Sequence, residues 1–207
     1  MKLLSALTNT FVCLCLAITL MACSDSGLEP LARDDRIVAF GDSLTVGVGA
    51  SSSEAYPAVL QQLTGIEVVN AGISGETSGE GRNRLASVLD RYSPDLVILS
   101  HGGNDFLRRQ DPLATKTNLA FMIELMQQRD IQVVLIGIPK PAIFLSSDSL
   151  YRELADEYDV PLENRIMADL QGNKSLKSDQ VHLNAEGYRQ FSQAIAALLR
   201  DAGAINQ

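Results

Sequence analysis

The chain is poor in residues that hold metals or crosslinks. Its 207 residues include two histidines, His101 and His182, and three cysteines, Cys13, Cys15 and Cys23. All three cysteines fall within the first 23 positions, so everything after them is free of thiols and disulfides. Two isolated histidines without cysteine make a poor ligand set, which argues against metal-dependent hydrolysis and leaves no cofactor or metal expected. No lysine and arginine cluster stands out and the net charge is −8, which argues against nucleic acid as a partner and against electrostatic attachment to anionic lipid. Internal repeats and low-complexity tracts are lacking. Long hydrophobic runs are scarce too: as a helix, the stretch from Phe11 to Met21 covers only ~17 Å, against a hydrocarbon core of about 30 Å.

That short run lies after Lys2 and before Ala22-Cys23. A positive start, a brief apolar region and a small residue at the cut describe a secretory signal peptide over residues 1–22. Leu20-Met21-Ala22-Cys23 resembles the lipobox of bacterial lipoproteins, in which the cysteine is lipidated and becomes the new N-terminus. Cys23 is the one cysteine outside the apolar run. Ser24, not aspartate, follows it, which by the same resemblance favours the outer membrane. Ordinary cleavage, giving a free periplasmic or secreted protein, is the alternative. Residues 23–35 are short and polar, with Gly27 and Pro30, and read as the lipidated cysteine and its tether.

The remainder, residues 36–203, is one domain's worth. Near-continuous apolar runs at Arg36–Phe40, Ile66–Asn70, Leu96–Ser100 and Ile131–Ile138 read as strands buried on both faces. Helical spacing appears at Tyr56–Leu63, Arg82–Tyr92, Leu113–Arg129, Tyr151–Tyr158 and Ala185–Arg200. Alternation of this kind means an α/β fold with a parallel sheet covered by helices on both sides, and ligands bind beyond the carboxyl ends of its strands. Ser43, Gly72 and Asn104 each follow a strand end, so three loops meet at one rim.

Those loops carry the parts of an acyl-transfer site. Ser43, in Gly41-Asp42-Ser43-Leu44, is a candidate nucleophile, and a serine hydroxyl needs a base within hydrogen-bond reach. In Asp179-Gln180-Val181-His182 a carboxylate stands three residues before a histidine, so one turn can put both side chains on the same side. His182 is then the base and Asp179 its orienting partner. Asn184 reads as the N-cap of the final helix, which would rigidify that loop. Asp42 reads as an anchor of the serine loop. Candidate oxyanion donors are the backbone N–H groups of Ser43 and Gly72 and the side-chain amide of Asn104.

Gly41-Asp42-Ser43-Leu44-Thr45, Asn70-Ala71-Gly72-Ile73-Ser74-Gly75-Glu76-Thr77-Ser78, Gly102-Gly103-Asn104-Asp105 and Asp179-Gln180-Val181-His182, in that order, resemble the SGNH-hydrolase superfamily, also called the GDSL family. The second block and the overall size are most similar to its bacterial thioesterases, arylesterases and lysophospholipases, and the resemblance spans Arg36 to about Leu199. It implies a three-layer α/β/α sandwich of about five parallel strands, with the fifth at Pro161-Leu162-Glu163, and a shallow active site. It also implies an acyl groove bordered by the loop after the fourth strand, where Pro139, Ile143 and Phe144 are candidate substrate contacts. His101 is unusual in that branch, where an apolar residue often precedes the Gly-Gly-Asn-Asp block. It reads as a strand-end residue near the pocket that modifies substrate preference. Val46 and Tyr56 read as core packing. The implied activity is hydrolysis of carboxylic esters, of acyl lipids or of small aryl and alkyl alcohols, by a monomer tied to the envelope through Cys23. Carbohydrate O-deacetylation and a non-catalytic envelope lipoprotein with a vestigial site are the alternatives.

Overall fold

The computed structural model describes residues 27–140 and 146–206. Five parallel strands, β1 (Arg36–Gly41), β2 (Glu67–Gly72), β3 (Leu96–Ser100), β4 (Gln132–Ile136) and β5 (Leu162–Glu163), lie in the order β2-β1-β3-β4-β5. The three central strands are the apolar runs of the sequence, and Ile37 to Phe40 and Leu96 to Leu99 are fully buried. Each large side chain buried this way contributes roughly 1.5–3 kcal/mol relative to exposure.

The helices are α1 (Ser43–Val46), α2 (Tyr56–Thr64), α3 (Ser78–Tyr92), α4 (Gly103–Leu107), α5 (Pro112–Gln127), α6 (Ser149–Tyr158), α7 (Ile166–Gly172) and α8 (Ala185–Asp201). Helices α2 and α8 pack together on one side of the sheet, and α3, α5 and α6 on the other. Tyr56 is fully buried, with its ring against Phe191 of α8, as its core role required. Helix α3 begins four residues earlier than its periodicity suggests. Thr77 and Glu80 form a capping box there, which outweighs the weak helix preference of Gly79 and Gly81.

The segment before the sheet is not a free tether over its described part. The Leu28 and Leu31 N–H groups donate to the carbonyls of Ala202 and Ala204, and both leucines pack against the core. Glu29 and Gln132 exchange backbone-to-amide hydrogen bonds. The domain also continues past residue 203, since Ala204 is fully buried.

Candidate active site

Strand β1 ends at Gly41, and the next residue caps α1: the Asp42 side chain accepts from the Leu44 N–H at 3.0 Å. Ser43 is therefore the first helical residue, at the carboxyl edge of the sheet, and its own N–H has no partner among the described residues. Asp42 is nearly fully buried, and burial pushes its carboxyl pKa up. Its second oxygen accepts from Asn104 Nδ2 at 3.1 Å, so it anchors both the serine loop and the asparagine.

The base arrives on a loop clamped at its foot. Lys177 and Leu183 form an antiparallel bridge, the Ser178 N–H donates to the His182 carbonyl, and Asn184 caps α8 through the Gly187 N–H. At the tip, Asp179 Oδ1 accepts from the N–H groups of Val181 and His182, both at 2.8 Å. Its Oδ2 lies 2.7 Å from His182 Nδ1, and His182 Nε2 lies 3.0 Å from Ser43 Oγ. A carboxylate only accepts, so Nδ1 carries the proton and Nε2 is free to take one from the serine. The His182 N–H, then its ring N–H, then the Val181 N–H hold the Asp179 pKa down at about 2. Three residues separated by up to 139 positions in sequence thus meet as a continuous relay.

The three expected oxyanion donors fare differently. Asn104 lines the pocket, but both of its amide protons are engaged, one by Asp42 and the other by the Glu76 carbonyl at 2.9 Å. Gly72 is not a free donor. Its N–H goes to Asn70 Oδ1 at 3.0 Å, and it is the last residue of β2, in register with Gly41. A Cβ there would stand 2.5 Å from the Val46 nitrogen and 2.9 Å from the Asp42 carbonyl oxygen. The position is glycine because the serine loop crosses directly over it. Gly75, three residues on, has φ +79° and an N–H without a partner among the described residues. The two peptides that follow it are both held, the first by Arg108 on the Gly75 carbonyl at 2.7 Å and the second by Asn104 on the Glu76 carbonyl.

His101 does not border the pocket. It is fully buried, 4.9 Å from the Phe40 ring centroid, and its Nε2 lies 2.8 Å from Glu76 Oε2. Glu76 is the carboxylate partner that sequence inspection did not find. Arg84 also grips it through two 2.6 Å bonds. Burial pushes the Glu76 pKa up, but the hydrogen bonds from His101 and Arg84 outweigh that and leave it lowered. The histidine therefore lies behind the Gly75–Glu76 loop, bonded to Glu76, and is not among the residues that line the pocket.

Pro139 lines the pocket, whereas Ile143 and Phe144 lie outside the described residues. The cavity beside Ser43 measures about 230 Å³. Its apolar walls are Leu44, Leu107, Ile138, Pro139 and Val181, with Gln171, Lys177 and Gln180 as further polar lining. Lys177, Gln180 and Val181 were accessible to sequence reasoning, since they flank Asp179 and His182. Leu107 and Gln171 sit on short helices with no pattern to flag them.

Residues 39–190 match the GDSL-like lipase/acylhydrolase family. The chain belongs to this family. Among its GDSL-like relatives, thioesterase 1/protease 1/lysophospholipase L1 of Escherichia coli (strain K12) is 32% identical over 163 residues, covering 75% of this chain and 78% of that protein. An arylesterase of Vibrio mimicus is 31% identical over 157 residues, covering 71% and 77%. The crystal structure of the psychrotrophic esterase EstA from Pseudoalteromonas sp. superposes with a TM-score of 0.73 at 26% identity, covering 81% of this chain and 98% of that one. The fold of this GDSL-like chain is accordingly the α/β/α sandwich of SGNH-hydrolase esterases.

Proposed function

We propose that this protein hydrolyses short-chain carboxylic esters through an acyl-enzyme on Ser43. The observation that carries the reading is the unbroken chain Ser43 Oγ, His182 Nε2, His182 Nδ1 and Asp179 Oδ2, at 3.0 and 2.7 Å. Ser43 Oγ attacks the ester carbonyl while His182 takes its proton. The tetrahedral oxyanion receives the Ser43 N–H, the Gly75 N–H and Asn104 Nδ2, the last by sharing the proton now given to Asp42. His182 returns the proton to the departing alcohol, and a water molecule, deprotonated by the same nitrogen, releases the acid. Every group comes from one chain, so a monomer suffices.

The names of the relatives support aryl esters as substrates and thioesters as a side activity. A cavity of about 230 Å³ is smaller than the ~300–1,000 Å³ typical of sites for drug-sized ligands, which favours a short acyl group. Across p-nitrophenyl esters, kcat/KM is expected to be highest between acetate and hexanoate and at least ~10-fold lower for palmitate, a discrimination that a few surplus methylenes readily produce. A steady rise to palmitate would overturn the short-chain reading. Activity confined to acetate, and shared by acetylated sugars, would move the assignment to O-deacetylation.

The first 23 residues support export and lipidation of Cys23, with the domain held on the periplasmic side of the outer membrane. Acyl-CoA, a cytoplasmic metabolite, is then not the natural substrate. Cys23→Ser should release the protein from the membrane fraction or leave its signal uncut. A processed variant that still sediments with membranes would dispose of the lipid anchor.

A further inference from the structure

We infer that the active site faces away from the membrane in which the protein is anchored, so that its substrates are esters arriving through water and not the lipids of its own bilayer. The inference rests on lipidation of Cys23. It is drawn from where the N-terminal segment joins the fold.

In a parallel sheet the two edges differ in kind. Ser43 and Asn104 follow the carboxyl ends of β1 and β3, and His182 hangs over the same rim, three residues before α8 begins. The chain from Gly27 to Ala32 lies at the other edge. Glu29 is bonded to Gln132, the first residue of β4. Leu28 and Leu31 are bonded to Ala202 and Ala204, just beyond the far end of α8. Helix α8 has 17 residues, so its two ends are ~25 Å apart at 1.5 Å per residue. The catalytic rim and the root of the anchor stand at least that far from each other.

The available chain is too short to cancel this separation. From Cys23 to Leu28 there are five residue steps, which span at most ~18 Å however they are arranged. A lipidated Cys23 sits at the bilayer surface. To press Ser43 against that surface the domain would have to turn over, and the connecting chain would have to run the length of α8 along the outside. About 18 Å does not cover ~25 Å. Docking of Leu28 and Leu31 is what makes the limit bind, since a free linker up to Arg36 would reach much further.

The test uses the full chain, expressed with its signal, purified in detergent and reconstituted into phosphatidylcholine vesicles. Two probes are compared: p-nitrophenyl butanoate in the water phase, and hexadecyl butanoate, whose alcohol tail holds it in the bilayer while its acyl group remains short. A second protein carries 30 glycine and serine residues inserted between Gly27 and Leu28, a linker with a root-mean-square reach of about 30 Å. Expected for the wild type is a rate on hexadecyl butanoate in its own vesicles at least tenfold below its rate on the same ester in detergent micelles. The linker should restore that rate, with p-nitrophenyl butanoate hydrolysed equally in all preparations. A linker variant no faster than wild type on the bilayer-held ester would overturn the orientation while leaving the anchor intact. The mass of the N-terminal peptide separates the two ideas: a peptide without lipid removes the anchor, and the orientation falls with it.

Discussion

Ser43→Ala is expected to lower kcat for p-nitrophenyl butanoate on the order of 10⁶-fold, the loss produced elsewhere by removing the nucleophile of a Ser-His-Asp relay. Binding and the oxyanion donors remain, so a residual rate of roughly 10³–10⁴ over water is expected. Stability should hardly move. Among the described residues the Ser43 hydroxyl makes one hydrogen bond, to His182 Nε2, and it sits at the pocket wall. Its loss is worth ~1 kcal/mol or less, a shift of roughly 2–4 °C in the thermal midpoint of a domain this size. His182→Ala should cost a similar amount, and the double variant scarcely more than either single one, because the two groups act as a unit. Turnover retained in Ser43→Ala with a normal melting curve would exclude Ser43 as the nucleophile.

The parts of the molecule that were legible in sequence are those governed by local pattern. Four runs rich in valine, isoleucine and leucine became the strands β1 to β4 within one or two residues; β1, β3 and β4 are buried on both faces as expected, whereas β2 is an edge strand with Glu67 and Asn70 exposed. Even the two-residue β5 lay where it was expected. Helices α1, α4 and α7 were invisible for the opposite reason. With four, five and seven residues, none is long enough to show a period.

The site divides the same way. Ser43, Asp179 and His182 meet, Ser43 directly after β1 and the other two on the short loop that leads into α8. The errors come from contacts that no local pattern encodes. Gly72 and Gly75 are both glycines in the same loop block, and only the crossing of the serine loop over Gly72 and the bond from its N–H to Asn70 separate their roles. His101 looked like a rim residue because it follows β3 by one position. Its side chain is instead fully buried, with Nε2 against Glu76, 25 residues earlier, which Arg84 also holds. A buried charge cluster of this kind is weak support for stability but well suited to fixing one loop conformation. The loop it fixes carries Gly75 and the carbonyl bonded to Asn104.

Asp179→Asn is the sharper test of how the relay works, because it should preserve the loop and still cost on the order of 10⁴ in kcat. Asp179 has two separate duties. One oxygen accepts from the Val181 and His182 N–H groups, and the amide oxygen of asparagine can accept both bonds unchanged. The other faces His182 Nδ1, where asparagine must place its NH₂. An NH₂ group only donates, so Nδ1 has to give up its proton and the ring proton moves to Nε2. That nitrogen then points an N–H at Ser43 Oγ and has no lone pair with which to take the serine proton. The pH behaviour follows from the depressed Asp179 pKa of about 2. Asp179 stays ionised across any practical assay range, so its own protonation should leave no step in the wild-type kcat/KM profile. For folding, a lowered carboxylate pKa gives stability that is present above the ordinary value near 4 and is lost as pH falls towards 2. The Asp179 side chain is about half exposed, so that contribution is small. The melting difference between wild type and Asp179→Asn should accordingly be slight at neutral pH and vanish towards pH 2. If Asp179→Asn kept more than about a tenth of wild-type kcat while melting normally, the tautomer of His182 would not be what this carboxylate controls.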